Sequence, residues 1–112
     1  MPIIHISVLK LEGHRVNSNI DPAVRFAKLA EIDPALVTIH VHPIGKVYGN
    51  IYDCFADIFI PDIWGKEKKE RMLKALRMVL TEKWQIAPAN SIIMIHPLSS
   101  GHVMDRGKIE TW

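Results

Sequence analysis

Pro2 directly follows Met1 and is the residue with the most distinctive potential chemistry. Removal of Met1, which a small second residue permits, would leave Pro2 as a free secondary amine. An α-amino group titrates near about pH 8, and burial among apolar side chains lowers that value by penalising the cation. Ile3 and Ile4 come next, so such an amine would approach neutrality and suit a general base. The competing reading is a proline that only opens an edge strand, where its missing N–H costs nothing. His40 and His42, two of six histidines, have the two-residue spacing that puts both imidazoles on one side of a strand and invites a metal hypothesis. Cys54 is the only cysteine. It lies in an apolar run with no histidine partner nearby in sequence, which predicts a buried thiol rather than a nucleophile.

The elements that must position these residues follow from hydrophobic periodicity. Residues 3–11 are β-branched and alternate, with Ile4, Ile6 and Val8 on one face and His5 and Ser7 on the other, and Gly13 breaks this strand. Asp21-Pro22 starts a helix, with Asp as N-cap and Pro in the first turn; Val24, Phe26, Ala27 and Ala30 keep helical spacing until Asp33-Pro34. Residues 36–42 alternate again, Val37, Ile39 and Val41 inward and Thr38, His40 and His42 outward. A Pro43, Gly45 and Gly49 stretch connects to the second half.

There residues 51–60 predict a strand with Tyr52, Cys54, Ala56, Ile58 and Ile60 on one face and Asp53, Phe55, Asp57 and Phe59 on the other. Residues 66–84 predict the longest helix, with a Leu73, Leu76, Leu80 and Trp84 stripe and with Glu67 and Glu70 near its positive end. Pro88 ends it, residues 91–96 form a fourth strand, and a polar tail runs to Trp112. A weak repeat relates Pro34-Ala35-Leu36-Val37 to Pro88-Ala89-Asn90-Ser91.

The expected fold class is therefore α/β (α+β): two consecutive βαβ units forming a four-stranded sheet with two helices on one face. One domain over 1–112 is expected, with units of about 1–48 and 49–112. Element order leaves two topologies open, a ferredoxin-like sheet or two parallel βαβ hairpins joined pseudo-symmetrically.

Bulk composition narrows the function. The 112 residues are 48% apolar and 23% charged, with 14 basic and 12 acidic side chains and a net charge of +2. That balance argues against nucleic-acid binding. The run Lys66-Glu67-Lys68-Lys69-Glu70-Arg71 mixes signs, as a solvated helix face does. No apolar run nears the roughly 20 residues that span a bilayer, a lone cysteine precludes an intrachain disulfide, and no signal-peptide pattern opens the chain. A cytoplasmic location without membrane association is expected.

Several segments resemble a known family. Met1-Pro2-Ile3-Ile4-His5-Ile6 followed by Leu11-Glu12-Gly13 resembles the opening of 4-oxalocrotonate tautomerase family members. Asp33-Pro34-Ala35-Leu36-Val37-Thr38-Ile39-His40-Val41 resembles the start and body of their second strand. The second half is similar to macrophage migration inhibitory factor and malonate semialdehyde decarboxylase, through Ile86-Ala87-Pro88 and through Gly101-His102 to Arg106-Gly107. The resemblance covers most of the chain, and the length matches fused two-unit members of this tautomerase superfamily.

It implies a homotrimer whose sheets surround a channel, with sites near subunit boundaries, Pro2 as acid/base and arginines gripping an anionic small-molecule substrate. A polar channel would account for the histidine-rich face without metal, and no metal or cofactor is expected. The substrate-binding candidates are Arg15 after the glycine, His40 where relatives have a strand arginine, Lys66, Val103 as an apolar wall, and Arg106 in the closing tail. The sequence departs from the pattern at Pro61-Asp62-Ile63-Trp64-Gly65, where some fused relatives carry paired arginines; the lysine and asparagine of the cytokine-like site correspond to Ile32 or Asp33 and to Met94. The function implied is isomerisation, a keto–enol tautomerisation of a small 2-oxo/2-hydroxy acid or related carbonyl compound. The alternatives are a non-catalytic trimeric binding or signalling member and a ferredoxin-like dimeric ligand-binding protein.

Overall fold

The computed structural model describes residues 1–9 and 16–112. Arg15 and the Leu11-Glu12-Gly13 motif fall outside the described residues. Chain order is β1 (Ile3–Leu9), α1 (Pro22–Ala30), β2 (Thr38–Ile44), β3 (Cys54–Pro61), α2 (Lys66–Trp84), β4 (Ser91–Leu98), β5 (Val103–Asp105) and β6 (Lys108–Glu110). The main sheet has the order β2-β1-β3-β4. Each unit contributes a parallel pair, β1 with β2 and β3 with β4, and the units join through antiparallel β1 and β3. This is the pseudo-symmetric topology. The ferredoxin-like alternative is excluded, since its βαβ units do not form parallel neighbours.

Ile4 and Ile6 of β1 face the same way as Cys54, Ala56, Ile58 and Ile60 of β3, all fully buried. Phe26 and Ala30 of α1 and Met72, Leu76, Val79 and Leu80 of α2 close over them. Both helices therefore cover one sheet face and leave the other free of helix. No helix among the described residues is long and apolar enough to cross a membrane.

The two units end their helices in similar backbone conformations. Glu31 and Gln85 take left-handed backbone conformations, with φ of 58° and 55°. The next residues return hydrogen bonds to the helix, Ile32 N–H to the Ala27 carbonyl at 2.9 Å and Ile86 N–H to the Leu80 carbonyl at 3.2 Å. The first is the six-to-one bond of a Schellman closure with an apolar residue at C″, and the second reaches one residue further back. Single turns of 3₁₀ helix, Pro34–Leu36 and Pro88–Asn90, then lead into the parallel strands. The internal repeat is thus longer than the proline-led one: Glu31-Ile32-Asp33-Pro34-Ala35 matches Gln85-Ile86-Ala87-Pro88-Ala89.

Three expectations change. β3 starts at Cys54 rather than residue 51, because β4 begins only at Ser91, opposite Cys54. The buried stripe of α2 includes Met72, Ala75 and Val79, while Leu73 is only half-buried. The tail is a hairpin: Val103 pairs with Glu110, Met104 with Ile109 and Asp105 with Lys108. Its two-residue loop, Arg106-Gly107, has φ of 51° and 83°, the double positive φ of a type I′ turn that suits strand twist.

Truncation should separate the two leucines of α2. Leu76→Ala leaves a cavity at the centre of the core and should cost about 2–5 kcal/mol, whereas Leu73→Ala should cost about 1 kcal/mol or less. Chemical denaturation of both variants would measure this, and equal losses would place the core on the wrong helix face.

Candidate active site

Pro2 is drawn into the sheet one residue ahead of β1. The Thr38 N–H at the start of β2 donates to the Pro2 carbonyl at 3.1 Å, which extends the parallel register of Ile3 with Thr38. A proline fits here because no N–H is required of it at the strand's head. Its ring is fully buried.

Met1 lies at a pocket of about 380 Å³ whose walls include Ile3, Thr38, Pro61, Val103 and Arg106. Burial, and then the nearby Lys68 cation, lower the pKa of the Met1 amine. A positive charge and an apolar wall thus act in the same direction on an amine at this end of the chain. The Lys68 ammonium also sits 4.2 Å from the centre of the Trp64 ring, a cation–π contact that holds it in place.

The hairpin closes one side of the pocket and is fastened by its last residues. The Trp112 backbone N–H donates to Ser100 Oγ at 2.8 Å, and its indole N–H donates to Asp62 Oδ1 at 2.9 Å. Gly101 N–H donates to the Glu110 carbonyl at 2.9 Å. Pro61 and Asp62, in the segment where the sequence departs from the paired arginines of some fused relatives, form wall and anchor.

The predicted residues divide into three groups. Pro2, Val103 and Arg106 come to this end of the sheet, the latter two lining the pocket. His40 does not line it. It lies on the helix-free face, with its ring 3.9 Å from that of His5 and 4.5 Å from that of His42. Lys66 is also elsewhere: it is largely exposed, stands 4.0 Å from Glu70, and borders a different groove with Gly65, Lys68 and Arg71. Of the two lysines, it is the Lys68 cation that lies near enough to the Met1 amine to lower its pKa. Arg15 lies outside the described residues. Sequence reading missed Lys68, Asp62, Glu110 and Trp112; the Arg106-Gly107 pair between short β-prone segments was the available signal for the hairpin that carries two of them.

The helix-free face carries a ladder of rings. His5 contacts Phe59 at 4.9 Å, Phe59 stacks on His96 at 4.7 Å, and His96 Nε2 lies 2.7 Å from Asp57 Oδ1. Among the described residues no group of three or more His, Cys, Asp or Glu side chains is placed to hold a metal ion. Cys54 is buried, and burial reinforced by Asp53 pushes its thiol up to about 12, so it stays protonated and poorly nucleophilic.

No protein-family model matches the sequence, and no curated protein matches it. Solved structures do match in fold. Macrophage migration inhibitory factor from Oncomelania hupensis superposes with a TM-score of 0.75 at 10% identity, covering 98% of this chain and 83% of that one. A wild-type fused 4-OT, a symmetric trimer, gives 0.76 at 7% identity over 96% of this chain and 94% of the other. Pt0534 inactivated by 2-oxo-3-pentynoate gives 0.75 at 12% identity, with coverage of 96% and 94%. The chain has the tautomerase-superfamily fold.

His40 has a pKa below the ordinary 6.5, first through burial and then through the neighbouring His5 and His42. As pH falls, the unfolded chain takes up this proton before the folded one does. The contribution to stability is therefore complete above about pH 6.5 and is lost as pH drops through the lower folded value. Melting temperatures between pH 7.5 and 5 should fall less steeply for His40→Gln than for the wild type. Parallel slopes would contradict this.

Proposed function

We propose that the chain catalyses proton transfer on a small carbonyl compound, a keto–enol tautomerisation of a 2-oxo/2-hydroxy acid or close analogue, with the Pro2 amine as general base after removal of Met1. The observation that carries this reading is the position of Met1: it lines the pocket, and the next residue is a fully buried proline at the head of the sheet. Without Met1, the new terminus is a secondary amine at the same place. Burial and Lys68, which lower the Met1 amine, would act on Pro2 in the same direction. A base that is partly neutral near pH 7 can accept a proton from carbon and return it to the substrate at another position.

Arg106 supplies a cation for a carboxylate or an enolate oxygen, and Val103 with Ile3 supplies an apolar wall. The fold is shared with a protein inactivated by 2-oxo-3-pentynoate, a small 2-oxo acid, which supports the substrate class. It is also shared with a fused 4-OT that is a symmetric trimer, which supports a homotrimer formed through the helix-free faces. In that assembly the His5, His40 and His42 ladder would face the shared centre rather than the substrate.

Intact mass first establishes whether Met1 is gone. The processed protein should then tautomerise phenylpyruvate, and Pro2→Ala should lose roughly 10²- to 10⁴-fold in kcat/KM. Lys68→Gln removes a positive neighbour, so the amine should bind its proton more tightly and the acid limb of the pH–rate profile should move to higher pH. A retained Met1, or equal rates for wild type and Pro2→Ala, would sink the assignment.

A further inference from the structure

The pocket beside Pro2 carries a charge pattern that proton transfer alone does not use. Val103 stands opposite Glu110 in the hairpin, and Asp105 stands opposite Lys108. Directly opposed residues share a face, so one face of the hairpin bears Val103, Asp105, Lys108 and Glu110. Val103, Asp105 and Glu110 line the pocket together with Arg106 from the turn. Two carboxylates therefore meet one guanidinium among the described side chains of the lining. The Arg106 guanidinium lies 3.8 Å from Asp105. Glu110 makes no ion pair among the described residues. The opposite wall is apolar, with Ile3, Leu36 and Pro61.

We propose that Glu110 is a specificity-determining residue: the pocket takes a monocarboxylate with an apolar body and rejects a second carboxylate by repulsion from Glu110. The inference rests on the proton-transfer reading for its choice of site, since the carbonyl substrate must reach Pro2. Arg106 meets the single carboxylate, and Ile3 and Leu36 meet the apolar remainder. A dicarboxylate would have to bring its second charge toward Glu110, with Arg106 the one cationic side chain among the described lining residues. Glu110 is exposed, so the repulsion passes partly through water and must weaken with salt.

Binding of non-reacting analogues tests this without turnover. Phenylacetate carries one carboxylate and phenylmalonate two, on the same aromatic body. Calorimetric titration of the wild type at about 10 mM ionic strength, where charges act over about 30 Å, should show phenylacetate binding at least about tenfold tighter. In Glu110→Gln the ratio should shrink to about twofold or less. In the wild type at about 1 M salt, where screening acts within about 3 Å, it should shrink likewise. A ratio unchanged in Glu110→Gln, a ratio insensitive to salt, or phenylmalonate binding as tightly as phenylacetate would overturn the proposal. So would a wild type that binds neither. Failure of the catalytic reading looks different: the analogues would still discriminate, while Pro2→Ala would turn over phenylpyruvate as fast as the wild type.

Discussion

The antiparallel pairing of β1 with β3 is the constraint on which the rest of the structure depends. Ile3 lies opposite Phe59 and Val8 opposite Cys54, so the head of β1 meets the end of β3. The two parallel pairings then bring more to the same end: the start of β2, through Ile3 and Thr38, and the end of β4, through Pro61 and Leu98. One end of the sheet therefore gathers Pro2, Thr38, Pro61 and the hairpin that follows β4. Since α2 begins soon after β3, Lys68 reaches that end as well. The same pairing sets Ile4 and Ile6 against Ile58 and Ala56 on one face, giving both helices a common surface to bury. Core and pocket thus have a single geometric origin.

Pseudo-symmetry generates two such ends, and they differ in the residue that stands ahead of the strand. The repeat that aligns Pro34 with Pro88 also aligns Thr38 with Ile92. Ile3 pairs with Thr38 and Phe55 with Ile92, so Cys54 occupies the place in the second unit that Pro2 occupies in the first. The nitrogen of Cys54 is an interior amide, and its thiol is held protonated by burial. The second unit contributes instead the Pro61 wall, the Asp62 anchor and Lys68. The two halves thus share left-handed residues at their helix ends but not side-chain chemistry.

Much of this was legible in the sequence because it is written in short-range signals. Alternation located β1 through β4, Asp21-Pro22 fixed the first helix at its N-cap, and the apolar spacing fixed α2 at Lys66–Trp84. The choice between the ferredoxin-like and pseudo-symmetric sheets was not local: it depends on which strands become neighbours, which element order leaves open. The hairpin was missed because its strands have three residues each, too few to show a period, and because Arg106 holds a positive φ more often filled by Asn, Asp or Gly. Lys68 was not singled out, because its nearness to the Met1 amine depends on how α2 follows β3 and not on a local signal. His40 was placed correctly on the outward face, but that face is turned away from the pocket.

We propose above all that Pro2, once Met1 is removed, is an amine held below the ordinary α-amino value by burial and by Lys68. The most direct measurement is an NMR titration of the Pro2 nitrogen in protein carrying ¹⁵N-labelled proline, after intact mass has established the terminus. The account predicts a titrating amine with a pKa below the ordinary α-amino value of about 8, rising when Lys68 is replaced by Gln. An amide nitrogen that does not titrate, or an amine that titrates at or above about 8, would contradict it.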